Sequence, residues 1–420
     1  MRFLFYSHDG VGLGHVRRNL AIAGALTRAV PTANVLIATS VDEVCQLGLP
    51  ANVDTLKIPG LRKRSNSEYG SRRLAMGAAE IHGLRSALLE GAARAFQPDV
   101  LLVDKHPLGA GGELRGTLET VRSAGGKVVL GLRDILDAPE EVQQEWQHGN
   151  LSQLVARYYD MVLVYGSRAV FDPIKEYGIS EAVAERTRYC GYVMNGFDCA
   201  WRSTDCPHLL PRKHPGKPVV LGTAGGGEDG YQMIRSFVQA AGSEKWDSVA
   251  VPGPMVPTAD LHSLQRLAAV NRVSMRTFIP CLSNLFNSAD ALVCMGGYNT
   301  LTEAVAHGVP AVCVPRTKPR KEQLIRSEAF EALGLVRTLR PEDLTPSSLR
   351  RAVNSALEVP RQELYERAHA TLRLDGANRA AEHLISLCSH GAAIQRFDQS
   401  ASPLPPACLA KQKIPAPFDC

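Results

Sequence analysis

The chain has 420 residues, 45% hydrophobic and 21% charged, and 47 Lys and Arg against 42 Asp and Glu give a formal net charge of +5. That composition is ordinary for a globular protein, and the length implies two or three domains, each able to bury a full core. The charge is too mild to argue for or against nucleic acid, and no apolar run approaches the ~20 residues of a membrane span. The first half then repeats a βα rhythm. Residues 2–7 read as an opening strand, 15–30 as a helix and Asn34–Thr39 as a second strand. Further strands fall at Val100–Asp104, 127–132 and Met161–Tyr165, with helical patterns between them. Short apolar strands alternating with longer helices imply a parallel sheet covered on both faces. The rhythm weakens over 198–217, read as an interdomain linker, and restarts with a strand at 218–222 and the loop Thr223-Ala-Gly225-Gly226-Gly227. Beyond about Cys388 the chain turns Pro-, Ala- and Ser-rich and reads as a disordered tail. The expected plan is α/β, with Rossmann-like domains over 1–197 and 218–388, a linker over 198–217 and a tail over 389–420. No solenoid period is present.

Residues 277–323 carry the densest signal. Residues 291–295 form a continuous apolar run that suits a buried parallel strand. Gly296 and Gly297 follow at its carboxyl end. Asn299 or Thr300 then caps a helix running to about His307, Gly308 closes it, and Pro310 opens a strand over 311–315. Glycines before a helix start let backbone N–H groups approach an anion, and the helix dipole favours negative charge there. Glu303 lies about one turn into the helix. A carboxylate cannot bind phosphate, but it can accept hydrogen bonds from two sugar hydroxyls. The local chemistry therefore reads as a sugar-nucleotide site, with diphosphate on the helix end and ribose on Glu303. No Asp-x-Asp stands at a strand end to hold a divalent cation. Arg316, Lys318, Arg320 and Lys321 lie between the second strand and Glu322-Gln323, where one of them, Arg316 foremost, could neutralise a departing diphosphate.

The run Met295-Gly-Gly-Tyr-Asn-Thr-Leu-Thr-Glu303, then Gly308-Val-Pro310, then Glu322-Gln323 resembles the donor-binding signature of GT-B nucleotide-sugar glycosyltransferases. It is similar both to the UDP-glycosyltransferases of small molecules and to the family 28 enzymes that add N-acetylglucosamine to lipid-linked peptidoglycan precursor. The resemblance implies two Rossmann-like domains facing across a cleft, and a UDP-sugar donor, UDP-N-acetylglucosamine or a UDP-hexose. It implies transfer to an acceptor hydroxyl that is inverting and metal-independent, with no cofactor beyond the co-substrate. It places Phe278-Ile279-Pro280 against uracil, and Glu322 and Gln323 on sugar hydroxyls. The Gly225-Gly226 turn, opposite the other glycine pair, reads as a diphosphate contact or as only a tight βα turn. Two positions depart from the pattern: Met295 stands where many small-molecule enzymes have a phosphate-contacting His, and Glu322 where many have Asp.

The loop Asp9-Gly-Val-Gly12-Leu-Gly14-His15 follows the first strand and opens the first helix. In the families just named, a Gly-His pair here belongs to the acceptor side, and the His is often the general base. Carried over, His15 takes the proton of the acceptor hydroxyl, and Asp104, at the end of a neighbouring strand, holds its tautomer. Neutral imidazole suits this work near pH 7, and an unperturbed ring would set the acid limb near pH 6.5. The same loop could be a dinucleotide fingerprint, but its spacing is Gly-x-Gly-x-Gly and no acidic residue clearly closes the second strand unless Asp42 does. His15 and Asp104 could also be ordinary caps. Ser7-His8-Asp9 are consecutive and cannot form a triad from one strand end.

Arg62, Lys63, Arg64, Arg72 and Arg73 flank a Ser/Asn/Gly-rich loop. They read as a solvated loop, an acceptor lid, or a patch meeting anionic lipid headgroups. The 10 cysteines show no CxxC pair, and Cys294 and Cys313 fall in apolar strands. They read as buried hydrophobes in a reducing compartment. The N-terminus has no signal-peptide layout. The expected location is the cytoplasm, including the inner face of the membrane. The alternatives are a non-hydrolysing UDP-N-acetylglucosamine 2-epimerase, which shares the layout, and a catalytically silent nucleotide-sugar binder, which would not need His15. A nucleic-acid-binding protein would need aromatic platforms among its basic residues, and these are lacking.

Overall fold

The computed structural model describes residues 1–388 apart from 9–12, 64–68, 195–209, 211–213, 215, 227–228, 243–244 and 280–281. Most of the expected linker, the whole tail, and Gly12, Arg64, Gly227 and Pro280 lie outside the described residues.

The first half contributes β1 (Arg2–Tyr6), β2 (Asn34–Thr39), β3 (Val53–Lys57), the hairpin strands β4 (Leu61–Lys63) and β5 (Tyr69–Ser71), then β6 (Val100–Asp104), β7 (Lys127–Arg133), β8 (Met161–Tyr165) and β9 (Thr187–Tyr189). Its helices are α1 (Gly14–Ala29), α2 (Ala78–Phe96), α3 (Arg115–Ser123), α4 (Pro139–His148), α5 (Leu151–Tyr158), α6 (Pro173–Glu176) and α7 (Glu181–Ala184). The second half adds β10 (Val219–Thr223), β11 (Asp247–Val251), β12 (Ser274–Met275), β13 (Ala291–Cys294), β14 (Ala311–Cys313) and β15 (Arg337–Thr338). Its helices are α8 (Tyr231–Ala240), α9 (Thr258–Val270), α10 (Tyr298–Ala306), α11 (Glu322–Ala332), α12 (Pro346–Leu357), α13 (Arg361–Thr371) and α14 (Gly376–Cys388).

Two parallel sheets result, ordered β3-β2-β1-β6-β7-β8-β9 and β12-β11-β10-β13-β14-β15. The strands are apolar on both faces because helices cover both. In β1, Phe3 and Phe5 join one apolar cluster while Leu4 and Tyr6 join another, following the two-residue period of a strand. The cluster holding Phe3 and Phe5 runs on through α1 and α14 to Val219, Leu221 and Leu292 of the second sheet. The last helix therefore returns to pack on the first half, and Met1–Cys388 forms one compact unit.

Strand order reverses between β1 and β6 in the first sheet and between β10 and β13 in the second. Such reversals open a crevice outside the strands' carboxyl ends, where ligands of open α/β sheets bind. His15 follows β1 and Asp104 ends β6; the Gly225-Gly226 turn follows β10, and Gly296-Gly297 follows β13.

Several boundaries differ from the sequence expectation. β13 ends at Cys294 rather than 295. Gly296 turns the chain at φ 74°, and a Cβ there would stand 2.4 Å from Ser327 Oγ. Neither Asn299 nor Thr300 caps α10. Gly297 is the N-cap and contributes no side-chain hydrogen bond, so the first helical N–H groups stay open. The strand β11 starts on Asp247 and Ser248, which hides it from an apolar search. Asp247 is buried because its oxygens accept from His214 N at 3.0 Å and face His214 Nδ1 at 2.8 Å.

Candidate functional site

His15 sits in the first turn of α1 with its side chain 13% exposed, and its Nδ1 lies 2.7 Å from Asp104 Oδ2. Asp104 is fully buried at the end of β6. A carboxylate only accepts hydrogen bonds, so Nδ1 must carry the proton and Nε2 keeps the lone pair. Arg18, three residues further along α1 and therefore on the same helix face, donates Nη2 to both Asp104 oxygens at 2.8 and 2.9 Å. Its Nη2 also stands 3.0 Å from His15 Nδ1. Two donors thus converge on one carboxylate. Burial pushes the imidazole down to about 4 against the pull of Asp104, and Arg18 and Arg133 push it down further. Burial pushes the Asp104 carboxyl up, but Arg18 and then His15 outweigh it and hold the group well below the usual range. An acid limb set by His15 would therefore lie below the pH 6.5 of an unperturbed ring, because burial and the neighbouring guanidiniums outweigh the support of Asp104.

The opposite wall is built from the second half. Gly225 turns at φ 68°, its N–H donating to Thr223 Oγ1 at 3.2 Å, and Met255 N donates to Gly226 O at 2.9 Å. Thr300 Oγ1 lies 3.8 Å from where a Gly225 Cβ would stand, so the turn and the α10 end are neighbours. A Cβ on Gly297 would meet open space. Asn299 Nδ2 reaches across to Gly14 O at 3.4 Å, linking the α10 end to the His15 loop. Glu303 is buried, and its charge bears on Arg17 of α1. Ile279 has its side chain in the core, so only its backbone faces the site, whereas Phe278 is partly exposed.

Arg316, the basic residue set foremost for the diphosphate, is held by two carboxylates. Its Nη1 binds Asp229 Oδ2 at 2.6 Å and its Nη2 binds Glu322 Oε1 at 2.7 Å. Its backbone N–H donates to Gln323 Oε1 at 3.0 Å. The pair Glu322-Gln323 is thereby oriented by Arg316. Glu322 Oε2 stays buried without a hydrogen-bond partner, an acceptor that a ligand hydroxyl would satisfy.

Sequence reasoning missed four charged residues here. Arg326, one turn beyond Glu322 and fully buried, donates Nη1 to Gly296 O at 3.3 Å and lies 3.7 Å from Asp134 Oδ1. It fastens the turn after β13 to the end of β7. Arg133, Asp134 and Arg18 complete the set. Arg18 stacks over Tyr165 at 5.0 Å and over Tyr298 at 5.7 Å, so it touches aromatic groups from both halves. Arginines at apolar helical positions were the available signal. Of the basic hairpin, Arg62, Arg72 and Arg73 are exposed, and Arg73 pairs with Asp42 at 2.9 Å. Among the described residues no helix is long and apolar enough to cross a membrane.

Residues 253–384 match the Glycosyltransferase family 28 C-terminal domain. The calicheamicin glycosyltransferase CalG4 superimposes with a TM-score of 0.60 at 19% identity, covering 93% of this chain and 99% of that one. The fold is GT-B. The NDP-glycosyltransferase YjiC of Bacillus licheniformis is 26% identical over 172 residues, 40% of this chain and 41% of the relative. The UDP-N-acetylglucosamine–N-acetylmuramyl-(pentapeptide) pyrophosphoryl-undecaprenol N-acetylglucosamine transferase of Glaesserella parasuis is 29% identical over 180 residues, 40% of this chain and 49% of the relative. The chain thus spans about half the length of these curated relatives. In this GT-B chain the matched domain holds Phe278, Gly296-Gly297, Glu303 and Glu322-Gln323, while His15 and Asp104 lie outside it.

Proposed function

We propose that the protein transfers a sugar from a UDP-sugar to an acceptor hydroxyl with inversion and without a metal ion. The observation that carries this is the His15–Asp104 pair, at the strand reversal of one sheet, facing the open α10 end at the strand reversal of the other. UDP lies with its diphosphate on the N–H groups after Gly297 and on the Gly225-Gly226 turn, and its ribose hydroxyls on Glu303. Glu322 Oε2 and Gln323 bind hydroxyls of the transferred sugar. The acceptor oxygen attacks the anomeric carbon from the side opposite the diphosphate. His15 Nε2 takes its proton, the bond from carbon to diphosphate oxygen breaks, and the electron pair leaves on UDP. Asp104 keeps Nδ1 protonated and supports the imidazolium that forms. The helix end takes up the charge released on the diphosphate, the role a metal would otherwise fill. Contact with anionic headgroups at a membrane surface is part of the proposal, and the exposed Arg62, Arg72 and Arg73 beside the exposed Leu74 support it.

The test is mass spectrometry of the purified chain incubated with a panel of UDP-sugars and a cell extract. A new product heavier by one sugar, formed by wild type and absent with His15→Ala, is expected. UDP-sugar converted to its 2-epimer, with no glycosylated product, would instead establish an epimerase.

A further inference from the structure

Helix α2 is apolar on both sides. Its inward face buries Ile81, Arg85, Leu89 and Ala93, and it packs beside α3. Its outward face exposes Gly83, Leu84, Ala87, Leu88 and Gly91 in one stripe that covers about 140° of the helix surface. Leu84 and Leu88 are 36% and 38% exposed, and a Cβ on Gly83 or Gly91 would meet nothing within 4 Å. Between Glu80 and Arg94 the charged residues are Arg85 and Glu90. Arg85 turns inward to Glu113 at 2.9 Å, and Glu90 lies at the edge of the stripe, paired with Arg94. A surface helix turns charged residues to water, and a helix apolar all round is one that is covered all round.

The stripe is complementary to itself. Gly83 and Gly91 stand four residues on either side of Ala87, and Glu80 and Arg94 stand seven. When two copies of α2 run antiparallel across a two-fold axis at Ala87, Gly83 of one meets Gly91 of the other, and Glu80 meets Arg94 of the other. Glu80 and Arg94 are both exposed, so opposite charges meet at each end of the contact. Glycine and alanine along the seam let the two backbones approach closely. Leu84 and Leu88 of both copies then close over the same edge of the seam. A lipid surface fits this stripe less well. Gly83, Ala87 and Gly91 offer little area to acyl chains, and Glu80 opposes anionic headgroups.

We propose that the outward face of α2 is the contact surface for a second copy of this chain, in an antiparallel two-fold dimer centred on Ala87. The contact does not depend on the glycosyl-transfer reading.

Sedimentation equilibrium of the full chain tests this. At micromolar concentration a species of twice the 45.5 kDa chain mass is expected. Ala87→Glu sets two carboxylates face to face on the axis and should weaken association by about a hundredfold or more. Glutamate suits an exposed helical position, so circular dichroism should show an unchanged fold. Glu80→Arg and Arg94→Glu should each weaken association by roughly tenfold, because each brings like charges together at both ends. The two exchanges combined restore opposite charges and should recover most of the affinity. If Ala87→Glu does not fold, the charge exchanges carry the test. A chain that stays monomeric overturns the proposal, as does a dimer that folded Ala87→Glu leaves intact. Single exchanges without effect, or a combination that recovers nothing, overturn the antiparallel pairing. A monomer that sediments with phosphatidylglycerol vesicles, and is released from them by Ala87→Glu, would assign the face to a membrane instead.

Discussion

Replacing Arg18 by methionine should raise the pH at which His15 titrates. The guanidinium stands 3.0 Å from the imidazole and shares Asp104 with it. A unit charge at about 4 Å is worth about 4 kcal/mol at an effective dielectric of about 20, or about three pKa units, which is an upper bound. The burial that dominates the depression remains after the substitution, while Asp104 becomes free to support the imidazolium alone. The expected rise from about 4 is therefore about one to two units. Asp104→Asn should act in the opposite sense, since it withdraws the carboxylate and leaves Arg18 unopposed. The assay is an NMR titration of the imidazole Cε1–H signals, with His15 assigned among the 12 histidines by its loss in His15→Ala. The same shift should appear in the acid limb of kcat/KM once an acceptor is in hand. An unchanged or lowered midpoint in Arg18→Met, or a raised one in Asp104→Asn, would refute the coupling. Stability follows by linkage. The folded-state value of His15 lies below the unfolded one, so the unfolded chain takes the proton first, and stability is lost as pH falls from about 6.5 to about 4. The loss is about 3 kcal/mol, and Arg18→Met should shrink it. That variant also leaves Asp104 buried with one partner fewer and should cost about 3–5 kcal/mol at neutral pH, measured by urea unfolding.

Glu303→Ala should weaken UDP binding by about 1.5–3 kcal/mol, the scale of charge-assisted hydrogen bonds to buried hydroxyls. Calorimetry comparing UDP with an analogue lacking the ribose hydroxyls checks it, and unchanged affinity for both would remove Glu303 from the ribose. Gln323→Ala should lower transfer and blur donor choice while UDP affinity holds, because Gln323 follows the loop leaving the diphosphate; an identical donor profile would speak against it. His15→Ala should lower kcat by roughly a hundred- to ten-thousandfold with little effect on donor affinity, and retention of most activity would leave the base unassigned. Gly296→Ala forces a Cβ to within 2.4 Å of Ser327 Oγ at positive φ and should destabilise by about 1–3 kcal/mol. A wild-type unfolding midpoint would show that the turn yields freely.

The elements were legible wherever a single face or strand carried the pattern. β2, β6 and β8 lie where the apolar runs put them, and the βαβ unit from β13 to β14 is out by a residue or two at its ends. β9, β12 and β15 are two or three residues long and too short to show a period. Asn and Thr, the common caps, lead the sequence to imply a side-chain cap at the α10 end, yet Gly297 takes the position and leaves the N–H groups open.

By itself the sequence determined the parallel α/β plan, the glycine turns after the first, tenth and thirteenth strands, and the residues available there: His15, Asp104, Glu303, Glu322 and Gln323. These are local matters, set by periods of two and 3.6 residues and by what glycine and a helix start permit. Only the tertiary structure decided how their charges combine. Arg18 joins Asp104 from 86 residues away, Arg326 joins the Gly296 turn to Asp134, and Arg316 pairs with Asp229. Partnership and desolvation depend on which groups the chain brings within a few ångströms and how much water it removes. Neither leaves a trace in the spacing of residues along the chain, and together they set the His15 basicity.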